Sequence, residues 1–392
     1  MTTRRIFLAS IITVSVIATG CGTASSQAAA TATPPVPAMS VCPAAVFNAM
    51  TEAERVGQLF LVGIPVSGGP GAAAQAAIRE HHFGSVLFSG DSTAGVAAIS
   101  GMARRVQQLT GATAGVKFFV AANQEGGEVQ ELAGPGFAAI PSALTQGSLS
   151  PAALQRAAQS WGRELKRAGV NLDLAPVMDV VPAGTAAKNA PIGALHREFG
   201  DNPVTNGEHG AAFIRGMAQA GLATSAKHFP GLGRVRGNTD FTANVVDDQT
   251  TAHDPYLASF QAAINAGTPF VLVALATYTK IDPAHLAVFS SRIITGILRD
   301  QMHFTGVIMS DDLGEAVAVA NLAPGTRAID FLAAGGDLIT SQTMSAADTM
   351  ATAVLGRAES DAAFRADVST AVMRVLRVKQ SYGLLPCLPG VQ

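Results

Sequence analysis

Polar side chains able to do chemistry recur in this chain at the ends of short apolar runs. Asn123-Gln124-Glu125-Gly126-Gly127 follows one run, Asp179 another, Lys227-His228 a third, Thr277-Tyr278 a fourth and Asp311-Asp312 a fifth. Groups of these types can act as nucleophile, as proton donor or acceptor, or as hydrogen-bond partners of a polar ligand. A lysine beside a histidine at the end of an apolar run is costly unless the pair faces a polar cavity. An aspartate such as Asp311, placed at a strand end, can attack an electrophilic carbon and form a covalent intermediate. Its neighbour Asp312 suits the cap of a following helix instead. Asp179 suits a structural role, accepting backbone N–H groups of neighbouring loops. Asp337 precedes its apolar run, which is the wrong end for chemistry.

Other chemistries find little support. There is no cysteine–histidine cluster and no H-E-x-x-H, so no metal is implied. His81-His82 is a lone doublet, expected at a helix end. Charged residues make up 14% of the chain, the formal net charge is −2, and no basic patch points to nucleic acid. Gly231-x-Gly233-x-x-x-Gly237 has the wrong spacing for a phosphate-binding G-x-G-x-x-G and reads as a mobile loop over the site.

The elements that must carry these groups are short and regularly spaced. Apolar runs at 59–64, 85–88, 118–122, 172–177, 223–226, 270–276, 306–310 and 338–340 are continuous rather than alternating, as in strands buried on both faces of a parallel sheet. Helical spacing fills the intervals. The clearest case is 151–168, with Ser150 as N-cap, Pro151 in the first turn, apolar residues at 154, 158, 161, 165 and 168, and Gly169 as stop. Eight strands alternating with helices predict an α/β fold, a single (β/α)8 TIM-type barrel, with a doubly wound sheet as the alternative. In such a barrel the residues above gather on the rim formed by the C-terminal strand ends.

The N-terminus reads as an export signal over 1–20. Arg4 and Arg5 precede an uncharged run from Ile6 to Ala18, too short to span a bilayer, for which about 20 residues are needed. Ala18-Thr19-Gly20-Cys21 suits lipoprotein processing, leaving Cys21 lipidated. Thr3-Arg4-Arg5-Ile6-Phe7-Leu8 also resembles a twin-arginine signal. The lipidated cysteine and a flexible Ala/Thr/Ser/Pro tether span 21–41, and the folded domain spans 42–392. The expected location is the outer face of the cell membrane, held by the lipid anchor. Of three cysteines, Cys42 and Cys387 then remain as an even pair at the two ends of the domain. They form a disulfide if the barrel brings its ends together, and two free buried thiols if it does not.

Taken together, several blocks resemble glycoside hydrolase family 3, and within it the single-domain bacterial β-N-acetylglucosaminidases that recycle peptidoglycan. They are Asn123-Gln124-Glu125-Gly126-Gly127, Asn171-Leu172-Asp173-Leu174-Ala175-Pro176-Val177-Met178-Asp179-Val180, Arg197-Glu198-Phe199-Gly200, Lys227-His228-Phe229-Pro230-Gly231 and Gly306-Val307-Ile308-Met309-Ser310-Asp311-Asp312-Leu313. The resemblance implies a retaining exo-β-N-acetylglucosaminidase acting on peptidoglycan-derived saccharides. Asp311 is then the nucleophile, kept ionised by nearby cations. Lys227 and His228 bind sugar hydroxyls, Arg197 reaches the sugar as a fork donor, and Asn123 takes a further sugar hydroxyl. No cofactor is implied, and a monomer is expected.

The chain departs from that family at three places. The family's mobile loop carries an Asp-x-His pair whose histidine is the general acid/base. Here the stretch reads Asn238-Thr239-Asp240-Phe241-Thr242, and a threonine hydroxyl cannot act as an acid near neutral pH. Asp240 is therefore the candidate acid/base, with Asp247 or Asp248 as substitutes and weak catalysis as a third outcome. Asn123 stands where the family has aspartate. Glu128 stands where it has arginine, which reverses a charge near the expected N-acetyl pocket. These departures leave two other readings, a related β-glycosidase with another sugar and a glycan-binding lipoprotein with a decayed site. On the same loop, Arg234 or Arg236 is expected to meet the lactyl carboxylate of a neighbouring muramic acid.

Overall fold

In the computed structural model, which describes residues 41–387, eight parallel strands close into a barrel. They are β1 (Phe60–Pro65), β2 (Ser85–Ser89), β3 (Phe119–Ala122), β4 (Leu172–Asp173), β5 (Ala223–Phe229), β6 (Phe270–Val273), β7 (Val307–Asp312) and β8 (Leu338–Ser341). Each pairs with its sequence neighbours, and β1 pairs with β8 to close the ring. The expected signal peptide, Cys21 and all of the expected tether but residue 41 lie outside the described residues.

Buried aliphatic and aromatic side chains cover both faces of the strands, which is why these runs lack polar alternation. Helices pack around the outside. Pro151–Arg167 is capped by Ser150, which accepts from Ala153 N at 3.3 Å, and Gly169 follows it at φ +80°. It lies close against Pro203–Gln219: a Cβ on Gly216 would come within 2.3 Å of Gln155 O, so only glycine admits this approach. His81 ends a helix and His82 caps it in the left-handed region.

All eight expected strands are present, with ends that differ in ways that matter. β4 stops at Asp173 instead of 177, since Pro176 has no N–H for a ladder, although isolated bonds to β5 continue, with Ser225 N on Ala175 O at 3.0 Å and Met178 N on Lys227 O at 2.6 Å. β5 runs on to Phe229, so Lys227 and His228 lie inside a strand rather than after it. β7 runs to Asp312 and carries Asp311 within it. Pairing slips by a residue between Lys227 and Phe229 and again between Met309 and Asp312. Such irregularities re-aim side chains at barrel rims.

The opposite end of the barrel is closed by structural charges. Asp337 is fully buried, receives Ile308 N at 2.8 Å and pairs with Arg299 and with Arg374 at 2.8 Å. Lys379, on the helix Ala362–Ser381, is buried with its Nζ on Gln58 Oε1 at 2.8 Å and Gly84 O at 2.6 Å. That helix packs on the first helix, Val41–Ala49, and beside them Cys42 and Cys387 form a disulfide with Cα atoms 6.2 Å apart.

Candidate active site

At the C-terminal mouth of the barrel is a cavity of about 320 Å³, within the range of small-molecule sites. Asn123, Arg197, Lys227, His228, Asp240 and Asp311 all line it. A larger surface cleft of about 600 Å³, beside Asp282 and His285, contains none of them.

Glu125 organises one wall. It follows β3 in a short strand, Gln124–Gly126, which pairs back on Val129–Gln130. The turn needs Gly126 at φ +102° and Gly127 at φ +60°, and a Cβ on Gly126 would sit 2.3 Å from Pro141 O, which explains the glycine pair. The Glu125 carboxylate accepts from Arg197 Nε at 2.8 Å, from Arg197 Nη2 at 2.7 Å and from Lys227 Nζ at 2.7 Å. Burial alone would raise its pKa, but the two cations win and lower it to about 2. The Arg197 fork is thus turned onto Glu125 and its Nη1 onto Pro191 O at 2.8 Å, so it does not point as a free fork at the cavity as expected. Sequence gives Glu125 no such role, since its partner lies 72 positions away and the pairing has no local signature.

His228 is held by Asp179. Asp179 is fully buried and accepts from His228 N at 3.1 Å, Leu232 N at 2.8 Å and His228 Nδ1 at 2.8 Å. Because a carboxylate next to backbone N–H donors accepts, Nδ1 carries the proton and Nε2 is left for the cavity. The structural role read for Asp179 is the one it plays, with the imidazole as an added partner.

Asp311 lies half-buried at the end of β7, with its Oδ1 accepting from Asp312 N at 2.9 Å. Its pKa is pushed up to about 6. Burial is the largest cause, the Asp240 charge adds to it, and His228 and the Asp312 N–H oppose it. This corrects the expectation that cations keep it low: Lys227 is tied to Glu125, and His228 does not offset the burial. Asp312 caps the turn after β7, accepting from Gly314 N at 2.9 Å, Glu315 N at 3.1 Å and Gln342 N at 2.9 Å.

Asp240 is exposed at the cavity mouth. Its loop is docked on the rim by Val317 N to Asp240 O at 3.2 Å and Ala318 N to Thr239 O at 3.1 Å. Asp247 is no substitute: it is buried and accepts from Gln249 N, Thr250 N and Thr250 Oγ1 at 2.7 to 2.8 Å. Asp248 and Thr242 are exposed and line no part of the cavity. Glu128 is exposed at the hairpin turn and also lies off the cavity wall, so its charge does not enter the pocket as expected. The carboxylate that does enter is Glu131, three residues on, which sequence reading passed over. Arg234 pairs with Asp254 at 2.6 Å and stacks on Tyr256, which removes it as a ligand for an acidic substrate group. Arg236 is exposed in an adjoining cleft of about 250 Å³ that also holds Lys188. Among the described residues no His/Cys/Asp/Glu group could hold a metal ion.

Comparison with known proteins places this geometry in a family. The glycosyl hydrolase family 3 N-terminal domain matches residues 51–378. A beta-hexosaminidase of Stenotrophomonas maltophilia is 31% identical over 289 residues, covering 70% of this chain and 83% of that protein. The crystal structure of a beta-N-acetylhexosaminidase from Beutenbergia cavernae superposes with a TM-score of 0.83 at 46% identity, covering 84% of this chain and 99% of that one. A family 3 beta-N-acetylglucosaminidase from a Paenibacillus superposes with a TM-score of 0.78 at 26% identity, covering 87% of this chain and 65% of that one. The chain belongs to glycosyl hydrolase family 3 and is a glycoside hydrolase built on a (β/α)8 barrel.

Proposed function

We propose that this hydrolase is a retaining exo-β-N-acetylglucosaminidase that removes terminal β-linked N-acetylglucosamine from peptidoglycan fragments. One observation carries the reading: the Asp311 carboxylate lines a single cavity at the barrel mouth together with Lys227, His228 and Asp240. Asp311 attacks the anomeric carbon and forms a glycosyl-enzyme. Asp240, at the mouth, protonates the departing oxygen and then takes a proton from the water that hydrolyses the intermediate. The third N–H of Lys227 and His228 Nε2 donate to or accept from ring hydroxyls. Asn123 lines the same wall, and its amide is the group expected there to meet a hydroxyl. The names of the relatives support the hexosamine.

Location and substrate rest on the N-terminal sequence. The export signal, Cys21 as a lipid-bearing residue and the tether put the enzyme at the outer face of the cell membrane, where cell-wall saccharides are its substrates. Lys188 and Arg236, which line the second cleft and make no ion pair among the described residues, suit a substrate that continues into an acidic group. The purified protein should release dye from an aryl β-N-acetylglucosaminide and Asp311→Asn should abolish this. Wild type and variant equally inactive across a panel of aryl glycosides would leave the glycan-binding reading in its place. Preference for another sugar in that panel would favour the related β-glycosidase.

A further inference from the structure

The order of strands around the barrel fixes which walls of the cavity face each other. β7 and β3 are four steps apart in a ring of eight and so lie diametrically opposite, with β5 midway between them. A sugar whose anomeric carbon meets Asp311 on β7 therefore passes Lys227 and His228 on β5 and ends against the β3 wall. That wall is made by Asn123 and, returning from the hairpin, Glu131.

Glu131 is fastened to Asn123 at both oxygens. Its Oε2 accepts from Asn123 N at 3.0 Å and its Oε1 from Asn123 Nδ2 at 3.0 Å. This fixes the Asn123 amide, whose Oδ1 then receives Lys227 Nζ at 3.0 Å. Each carboxylate oxygen keeps a further acceptor direction. Glu131 makes no ion pair within 4.0 Å of any cation among the described residues, since Lys227 is paired with Glu125. The other charges facing it are Lys227, Asp91 and the buried Asp173. A half-buried carboxylate without a cation is expensive unless the ligand meets it. Burial pushes its pKa up to about 7.

We propose that Glu131 is a specificity-determining residue of this pocket, accepting hydrogen bonds from the hydroxyls of the sugar ring farthest from the anomeric carbon. The inference rests on the reading of the cavity as a hexosamine site. A neutral hydroxyl donates to the carboxylate, whereas a uronic acid would bring a second carboxylate against it and is turned away.

The test uses the full chain with aryl β-N-acetylglucosaminide and its 4-deoxy and 6-deoxy analogues. At about pH 8, where Glu131 is ionised, wild type should lose about tenfold or more in kcat/KM when the contacted hydroxyl is removed, the size expected for a hydrogen bond to a charged group. Glu131→Gln should lose about tenfold on the full sugar, mainly in KM, but less than about threefold on that deoxy sugar. Glu131→Asp, which withdraws the carboxylate by one methylene, is the second variant and should show the same pattern. An equal loss on all three sugars would mean that Glu131 only holds Asn123 in place, and the proposal would be overturned. Wild type indifferent to both hydroxyls would overturn it alone, without recourse to any variant. Wild type inactive on all three sugars would overturn the proposed function and this inference with it.

Discussion

Replacing Glu125 by Gln removes the one carboxylate that holds two cations at the cavity wall. In the wild type it accepts Arg197 Nε and Nη2 and Lys227 Nζ at 2.7 to 2.8 Å, and these cations lower its pKa from 4.5 to about 2. That difference corresponds to about 3 kcal/mol of stability. The cost of leaving buried partners uncompensated is of similar size, about 3–5 kcal/mol. For a domain of about 350 residues, with an unfolding entropy of about 0.7 kcal/mol/K, Glu125→Gln should lower Tm by about 4–7 °C. Because the folded pKa is depressed, this stability is fully present above pH 4.5 and fades as pH falls towards 2. The gap between wild type and variant in a calorimetric melt should therefore narrow over that window. Lys227 also loses its 2.7 Å partner, so kcat/KM on an aryl glycoside should drop at least about tenfold, equivalent to about 1.4 kcal/mol. A variant melting within about 1 °C of wild type at pH 7, with kcat/KM within about twofold, would refute the argument, since both quantities derive from the same pair of contacts.

Three other outcomes are expected. The acid limb of kcat/KM should fall near pH 6, because the attacking form of Asp311 is the carboxylate and its pKa is raised to about 6; a limb near pH 4 would contradict this. Asp240→Asn should lose little activity on substrates with activated leaving groups and at least about 100-fold on poor ones, and equal losses on both would remove it as the proton donor. Cys42→Ser should leave kcat/KM unchanged while lowering stability by about 2–5 kcal/mol, measured by denaturant midpoint; an unaltered midpoint would show that the bond does not tie the ends of the domain.

The barrel was legible because buried parallel strands impose continuous apolar runs, and all eight stand where those runs are. Asp311, Lys227 and His228 were legible because a polar residue at the end of such a run has few places to go except the rim. What local pattern could not show is how distant groups use each other. Glu125 takes up the fork of Arg197, and Asp179 takes up the imidazole of His228, across 72 and 49 positions. Glu131 was passed over because it sits eight residues beyond Asn123 on a hairpin that folds back, a path set by tertiary pairing to Asn123. The pKa of Asp311 departs from expectation for the same reason: sequence shows that cations are present, not how deeply the carboxylate is buried or that Asp240 faces it.

The link between Cys42 and Cys387 spans 345 positions and turns nearly the whole domain into a covalent ring. Such a clasp can close only after the chain has been made as far as position 387. Its oxidant must therefore work on a nearly finished chain rather than on an emerging one. A product truncated before position 387 would leave the Cys42 thiol open to alkylation, so the clasp acts as a chemical record of whether synthesis ran to the end.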